Sequence, residues 1–184
     1  MPAVVIVVIV VVLIVVLGAV LGFNSLVRRR NRTSDAWSQI DVQLKRRHDL
    51  IPNLVETVKG YAAHEKSTLD AVIQARNAAV AAPTPATTAA AEGQLTGALR
   101  QLFALGEAYP DLKANQNFLA LQEELSATEG RVAYARQFYN DSVLEYNNKL
   151  QQFPTVYYAK MLDFERREYY ETYEAARETP AVDF

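Results

Sequence analysis

The chain has 184 residues, with 19 Lys and Arg against 21 Asp and Glu and a formal net charge of −2. Charge this balanced lacks the basic footprint of a nucleic-acid binder. The absence of cysteine excludes disulfides, thiolate metal sites and cysteine nucleophiles. Gly and Pro are few while Ala, Leu, Glu, Gln and Arg are many, which predicts helices.

The first predicted element is the apolar run Pro2 to Phe23, almost entirely Val, Ile, Leu and Ala. About 20 such residues, rising about 1.5 Å each, span a bilayer core of about 30 Å. In lipid a helix is the one single-segment conformation that satisfies every backbone N–H and C=O. No Lys or Arg precedes the run, and Arg28, Arg29, Arg30 and Arg32 follow it. The positive-inside rule then predicts the N-terminus outside and everything from Asn24 onward in the cytoplasm. A cleaved signal peptide would have its basic residues before a shorter apolar segment, so a retained anchor is expected. Gly18 and Gly22 form a small-xxx-small pair, a route to a homo-oligomer, though glycine is also simply frequent in membrane helices. The predicted organisation is an anchor over 1–23, a basic juxtamembrane linker over 24–33, a helical bundle over 34–164 and a charged, tyrosine-rich tail over 165–184.

Within the soluble part, Asp35 is the predicted N-cap of the first helix. Trp37, Ile40, Leu44, Arg47, Ile51, Leu54, Val58, Tyr61, Glu65, Leu69 and Val72 follow in alternating steps of three and four, the seam of a helix packed on others as in a coiled coil. The spacing predicts one arm from Asp35 to about Val80 with a kink at Pro52; the alternative is two helices meeting at Asp49 to Pro52. Ala81 to Ala91 contains only Ala, Thr and Pro and reads as a loop with a ragged, partly helical end. A second helix to about Ala108 presents Leu95, Leu99, Leu102 and Leu105 or Gly106. A third, starting between Asp111 and Asn115 and ending at Gln152, turns Phe118, Leu121, Leu125, Val132, Tyr139, Val143, Tyr146, Leu150 and Phe153 inward. A fourth runs from Thr155 to about Leu162, and Glu165 to Glu178 is helical by propensity without a clear apolar stripe. Short connections between long helices predict an all-α, up-and-down antiparallel bundle of three to four helices, two of them long.

Little in the chain reads as catalytic. His48 and His64 are sixteen residues apart, and neither has a Glu three residues before it, so the Glu-x-x-His signature of di-iron bundles is absent. There is no Gly-rich phosphate loop and no Gly-x-Ser-x-Gly elbow. No catalytic residue, cofactor or metal site is expected. Polar residues at or beside the seam stand out instead: Asp41, Arg47 and Glu65 in the first helix, Arg136, Asn140 and Asn147 in the third. Tyr139-Asn140 and Tyr146-Asn147 repeat one dipeptide a heptad apart. These groups either form a structural network that sets register or line a groove for a partner. Lys45-Arg46-Arg47 is either a solvated face or a contact for acidic lipid.

Several of these stretches resemble the LemA family: Ala36-Trp37-Ser38-Gln39-Ile40-Asp41-Val42-Gln43-Leu44-Lys45-Arg46-Arg47, continuing as Asp49-Leu50-Ile51-Pro52-Asn53-Leu54-Val55. Tyr61-Ala62 with His64-Glu65, the turn Pro110-Asp111-Leu112-Lys113-Ala114-Asn115, Leu121-Gln122-Glu123-Glu124-Leu125 and the Tyr-Asn pairs leading to Phe153-Pro154 are similar to it as well. The resemblance reaches about Leu162; Phe164 to Glu178 departs from the pattern. It implies a single-pass protein of the bacterial inner membrane with a helical-bundle soluble domain, and no enzymatic activity to carry over. Some proteins of that family take part in building magnetosome membranes, a role the resemblance does not transfer.

The expected function is a non-enzymatic scaffold or adaptor at the cytoplasmic membrane face, held to the bilayer through residues 2–23 and recruiting unknown protein partners. The alternatives are a metal-carrying or enzymatic bundle, and a lipid-binding protein that organises the membrane.

Overall fold

The computed structural model describes residues 2–170. They are all-α, with no strand: α1 (Pro2–Lys59), α2 (Lys66–Ala81), α3 (Pro85–Ala108), α4 (Pro110–Lys113), α5 (Gln116–Gln151) and α6 (Thr155–Met161). The described residues fall into two compact units, 2–37 with 138–167 and 38–137 with 168–170.

In the first unit, α1 is helical from Pro2 without interruption. The stretch 24–33, expected as a linker, is therefore helix, and Asp35 lies in a helix interior and caps nothing. Leu26 and the four arginines favour helix there, and Leu26, Thr33 and Ala36 are buried, so continuing the helix keeps their contacts. Leu26 packs with Tyr146, Leu150 and Ala159, flanked by Phe164. Thr33 Oγ1 donates to the carbonyl of Ser142 at 3.3 Å, and Arg29 reaches Glu145 at 2.7 Å. Residue numbers on α1 and α5 thus run in opposite senses along the contact. Trp37 meets Tyr139 with ring centroids 5.4 Å apart. Beyond α5 the chain turns at Phe153 and Pro154, and the expected fourth helix is α6. Phe153, expected inward, is 81% exposed because α5 ends two residues before it, so the seam does not extend to it.

The second unit holds the larger core. Ile51, Leu54 and Val58 of α1, Leu69 and Val72 of α2, Leu95, Leu99 and Leu102 of α3, Leu112 of α4, and Phe118 and Leu125 of α5 form one cluster. α1 passes through Pro52 without ending. Burial of Ile51, Leu54 and Val58, about 1.5–3 kcal/mol each, outweighs the roughly 3 kcal/mol of a mid-helix proline. The break comes instead at Gly60 to Glu65, so the predicted single arm to Val80 is two helices, and not at the proline. There Tyr61 N and Ala62 N both turn back to Val58 O at 3.0 and 2.8 Å. Tyr61, predicted on the seam, is consequently exposed.

α3 starts earlier than expected. Thr84 and Thr87 form a capping box and Pro85 sits in the first turn, so residues 85–91 are helix, not loop. Gly106 is fully needed as glycine, since a Cβ there would lie 2.7 Å from the Phe118 ring. Asn115 Oδ1 accepts from Phe118 N at 3.0 Å and starts α5. Residues 165–170, expected as helix, are not helical; the rest of that stretch and the terminal Val182 and Phe184 lie outside the described residues.

Candidate functional site

The second unit buries a cluster of charged groups. Arg47 and His48 are neighbours on α1; Glu92 and Thr96, one turn apart on α3, face them. Glu92 Oε2 accepts from Arg47 Nη1 at 3.1 Å, and its Oε1 lies 2.6 Å from His48 Nε2. With Glu92 ionised, both oxygens are acceptors, so Nε2 carries the proton and donates. Arg47 Nη2 donates to Thr96 Oγ1 at 2.8 Å. The side chains of Arg47, His48 and Glu92 are 4, 9 and 6% exposed, so the buried charges of Arg47 and Glu92 depend on each other. Arg47 Nε is buried with no hydrogen-bond partner among the described residues.

Pro52 adds a third element to this cluster. It has no N–H to give the carbonyl four residues back, that of His48. Arg76, on α2, supplies the missing donor through its Nε at 2.9 Å. One residue, His48, therefore ties α1 to α2 through its carbonyl and to α3 through its ring.

A cavity of about 390 Å³ opens beside the cluster, walled by Arg47, Glu92, Gly93, Gly97, Arg100 and Arg136. Arg136 lies over the ring of Tyr170, 5.5 Å from its centroid, and Tyr170 is fully buried. On another face of the same unit, an apolar groove of about 660 Å³ is lined by Ser38, Val42, Ala127, Gly130 and Tyr134. Val42 is 61% and Tyr134 75% exposed.

The first unit holds a backbone clamp. Asn147 donates through Nδ2 to Arg167 O at 2.9 Å and accepts at Oδ1 from Arg167 N at 3.0 Å. A single amide thus replaces both hydrogen bonds a neighbouring strand would make. Tyr146 donates its hydroxyl to Glu165 O at 2.9 Å. Burial raises the Tyr146 hydroxyl above its ordinary pKa, Arg167 and Arg30 pull it back, and Glu165 adds to the rise.

Of the six polar seam residues, Arg47 and Arg136 wall the same cavity of the second unit. Asp41 is exposed, Arg47 is in the buried ion pair, Glu65 accepts from Tyr109 OH at 3.2 Å, and Arg136 stacks on Tyr170. That bond to Glu65, then burial, then the Glu65 charge raise the Tyr109 pKa. Asn140 is half-buried and Asn147 buried, both in the first unit. Within Lys45-Arg46-Arg47, Arg47 is on neither a solvated nor a lipid-facing surface, while Arg46 pairs with Glu124 at 2.5 Å. Of the juxtamembrane arginines, Arg29 and Arg32 share Glu145 at 2.7 and 3.3 Å, Arg30 lies over Phe164, and Arg28 is exposed. His64 is exposed. Among the described residues, no three His, Cys, Asp or Glu side chains gather as metal ligands.

Glu92 was not among the residues singled out from sequence. Its signal is isolation: it is the sole ionisable residue between Arg76 and Arg100. A lone acid in so apolar a helix is either solvated or matched to a buried cation.

An apolar helix of membrane-spanning length, with the side chains of its apolar window unburied, runs on into a helical body. Among the described residues, this defines an all-helical protein with one helix long and apolar enough to cross a membrane. The chain belongs to the LemA family, whose model matches residues 36–184. It is similar to Protein LemA of Metamycoplasma hominis, with 31% identity over 144 residues, 76% of this chain and 64% of that protein. The chain therefore spans less than two thirds of that relative's length. It is also similar to Magnetosome protein MamQ 2 of Paramagnetospirillum magneticum and Magnetosome protein MamQ of Magnetospirillum gryphiswaldense. Each is 25% identical over 189 residues, 89% of this chain and 69% of the relative.

Proposed function

We propose that this LemA-family protein is a single-pass, non-enzymatic scaffold or adaptor, with its soluble part an up-and-down helical bundle at the cytoplasmic face of a bacterial inner membrane. The observation that carries this reading lies within the first unit: the apolar segment with unburied side chains continues as helix into Leu26, Thr33 and Ala36, which are buried, with Leu26 and Thr33 packed on α5. Tethering raises the effective concentration of weak partners at the membrane. The opposite senses of α1 and α5 in the first unit support the bundle, and the arginines directly after the apolar run support the cytoplasmic side.

The groove at Val42 and Tyr134 is the face assigned to partner proteins, because large apolar side chains are exposed there beside small residues. Photo-crosslinking side chains placed at Val42 and Tyr134 in living cells test the adaptor role. A discrete membrane-resident partner, captured by the full chain and lost when residues 2–23 are removed, is expected. Capture of nothing by either position sinks the adaptor reading. Protease added to intact spheroplasts tests the side: digestion of the body from outside reverses the assignment. The alternative of a membrane-organising, lipid-binding protein is favoured by one observation, the apolar surface of α6.

A further inference from the structure

The segment from Phe153 to Leu162 has a composition unlike that of a water-facing helix. Phe153 is 81%, Tyr157 72% and Met161 78% exposed, and Leu162 and Val156 also face outward. Lys160 is its sole charged residue. Exposure on this scale would be a liability in water. It follows from position, however, that water is not the solvent. Phe153, Tyr157 and Met161 face Val15, Gly18 and Ala19 of the apolar run across a groove of about 460 Å³. Tyr158 lies over Gly22 so closely that a Cβ there would run into its hydroxyl. All these residues belong to one unit.

We propose that the Phe153–Leu162 turn and helix are a second membrane element, a foot immersed in the leaflet into which α5 descends, with lipid acyl chains filling its groove against α1. The inference rests on the reading that residues 2–23 cross the bilayer. Centred near Val12, that span places Val15 about 5 Å and Gly22 about 15 Å from the midplane at 1.5 Å per residue. Both fall within the half-thickness, about 15 Å, of a 30 Å core. Whatever packs on Val15 to Gly22 is at acyl depth. The foot's chemistry suits that depth. Tyr157 and Tyr158 offer apolar rings with a polar tip, as interfacial aromatics do, and Lys160 is long enough to extend toward the headgroups.

The turn's backbone is also prepared for lipid. Gln152 N donates to Lys149 O at 3.3 Å; Val156 N and Tyr157 N return to Gln152 O and Pro154 O at 2.9 and 3.3 Å. Pro154 has no N–H to satisfy. Thr155, the one hydroxyl besides the tyrosines, is buried and accepts from Tyr158 OH at 3.1 Å. Non-helical backbone at membrane depth survives only when its polar groups are paired in this way.

The chain has no cysteine, so single-cysteine variants report one position each. The full chain, reconstituted in phosphatidylcholine–phosphatidylglycerol vesicles, carries an environment-sensitive fluorophore at Phe153→Cys, Tyr157→Cys or Met161→Cys. Leu17→Cys is the span control and Tyr134→Cys the aqueous control. All five side chains point outward, so labelling leaves the packing intact. The three foot positions are expected to match Leu17: blue-shifted emission, quenching by acyl-chain nitroxide lipid and loss of iodide quenching. If they match Tyr134 while Leu17 is quenched from the acyl region, the foot is refuted and the anchor stands. If Leu17 is also open to iodide, the anchor reading fails and the foot with it.

Discussion

The carbonyl oxygen of His48 accepts the Nε–H of Arg76 at 2.9 Å, in place of the backbone donor that Pro52 lacks. The proline is thus accommodated by a residue on another helix. Removing the cation is predicted to cost about 1.5–3 kcal/mol, the range for a hydrogen bond to a charged group. Arg76→Leu should lower the melting temperature of the full chain in detergent. In a Pro52→Ala background the backbone N–H returns, so the cost of Arg76→Leu should shrink. Equal costs in both backgrounds would show that Arg76 acts by packing alone.

Glu92 is the shared acceptor of two buried donors, and its loss leaves Arg47 without a counter-charge and His48 without its hydrogen-bond partner. Glu92→Ala is predicted to destabilise by about 3–5 kcal/mol, as for a buried pair broken on one side. Arg47→Met combined with Glu92→Ala should recover part of this, because no stranded guanidinium remains. Thermal melts of the two single variants and the double variant check the coupling; strict additivity would count against a working ion pair.

Asn147 holds both backbone groups of Arg167, so truncation strands two polar groups at once. A loss of about 1–3 kcal/mol is expected for Asn147→Ala, together with faster tryptic cleavage after Arg166 and Arg167. Asn147→Asp keeps the acceptor but loses the donor to Arg167 O, and should fall between. Cleavage at the wild-type rate in Asn147→Ala would mean that the clamp does not protect this segment.

Tyr146 links stability to alkaline pH. Its folded-state pKa is raised above 10.0, with burial the leading cause, so folding favours the neutral phenol. The contribution is fully present below the unfolded pKa of about 10 and is lost as pH rises through the higher folded value. At neutral pH, Tyr146→Phe should be less stable by about 0.5–1.5 kcal/mol, having lost the bond to Glu165 O. Above pH 10 the two proteins should converge, since the phenylalanine has nothing to ionise. Melting curves that stay parallel across this window would contradict the linkage.

Helical class, the apolar segment and most seam positions were legible because apolar periodicity is a local property. Ile40, Leu44, Ile51, Leu54 and Val58 on α1, and Val132, Tyr139, Val143 and Tyr146 on α5, are buried as their spacing predicts. The misplaced boundaries have local causes that competed with stronger ones. Asp35 offers a cap, yet the helix is already running; Pro52 offers a break, yet burial and Arg76 carry α1 past it. At Gly60 nothing opposes the break. Phe153 shows the limit of extrapolating a seam beyond the end of the helix that carries it.

By itself, then, the sequence determined which segments are helical and which faces are apolar, because both follow from neighbours within a turn or two. Only the tertiary structure decided which polar groups meet. Glu92 finds Arg47 across 45 residues and Asn147 finds Arg167 across 20. It also decided that the apolar surface of α6 lies beside Val15 to Gly22. Periodicity marks a face for burial but carries no address for its partner. The address comes from which helices the fold places side by side, and a buried charge or amide is stable only when that placement brings it a partner.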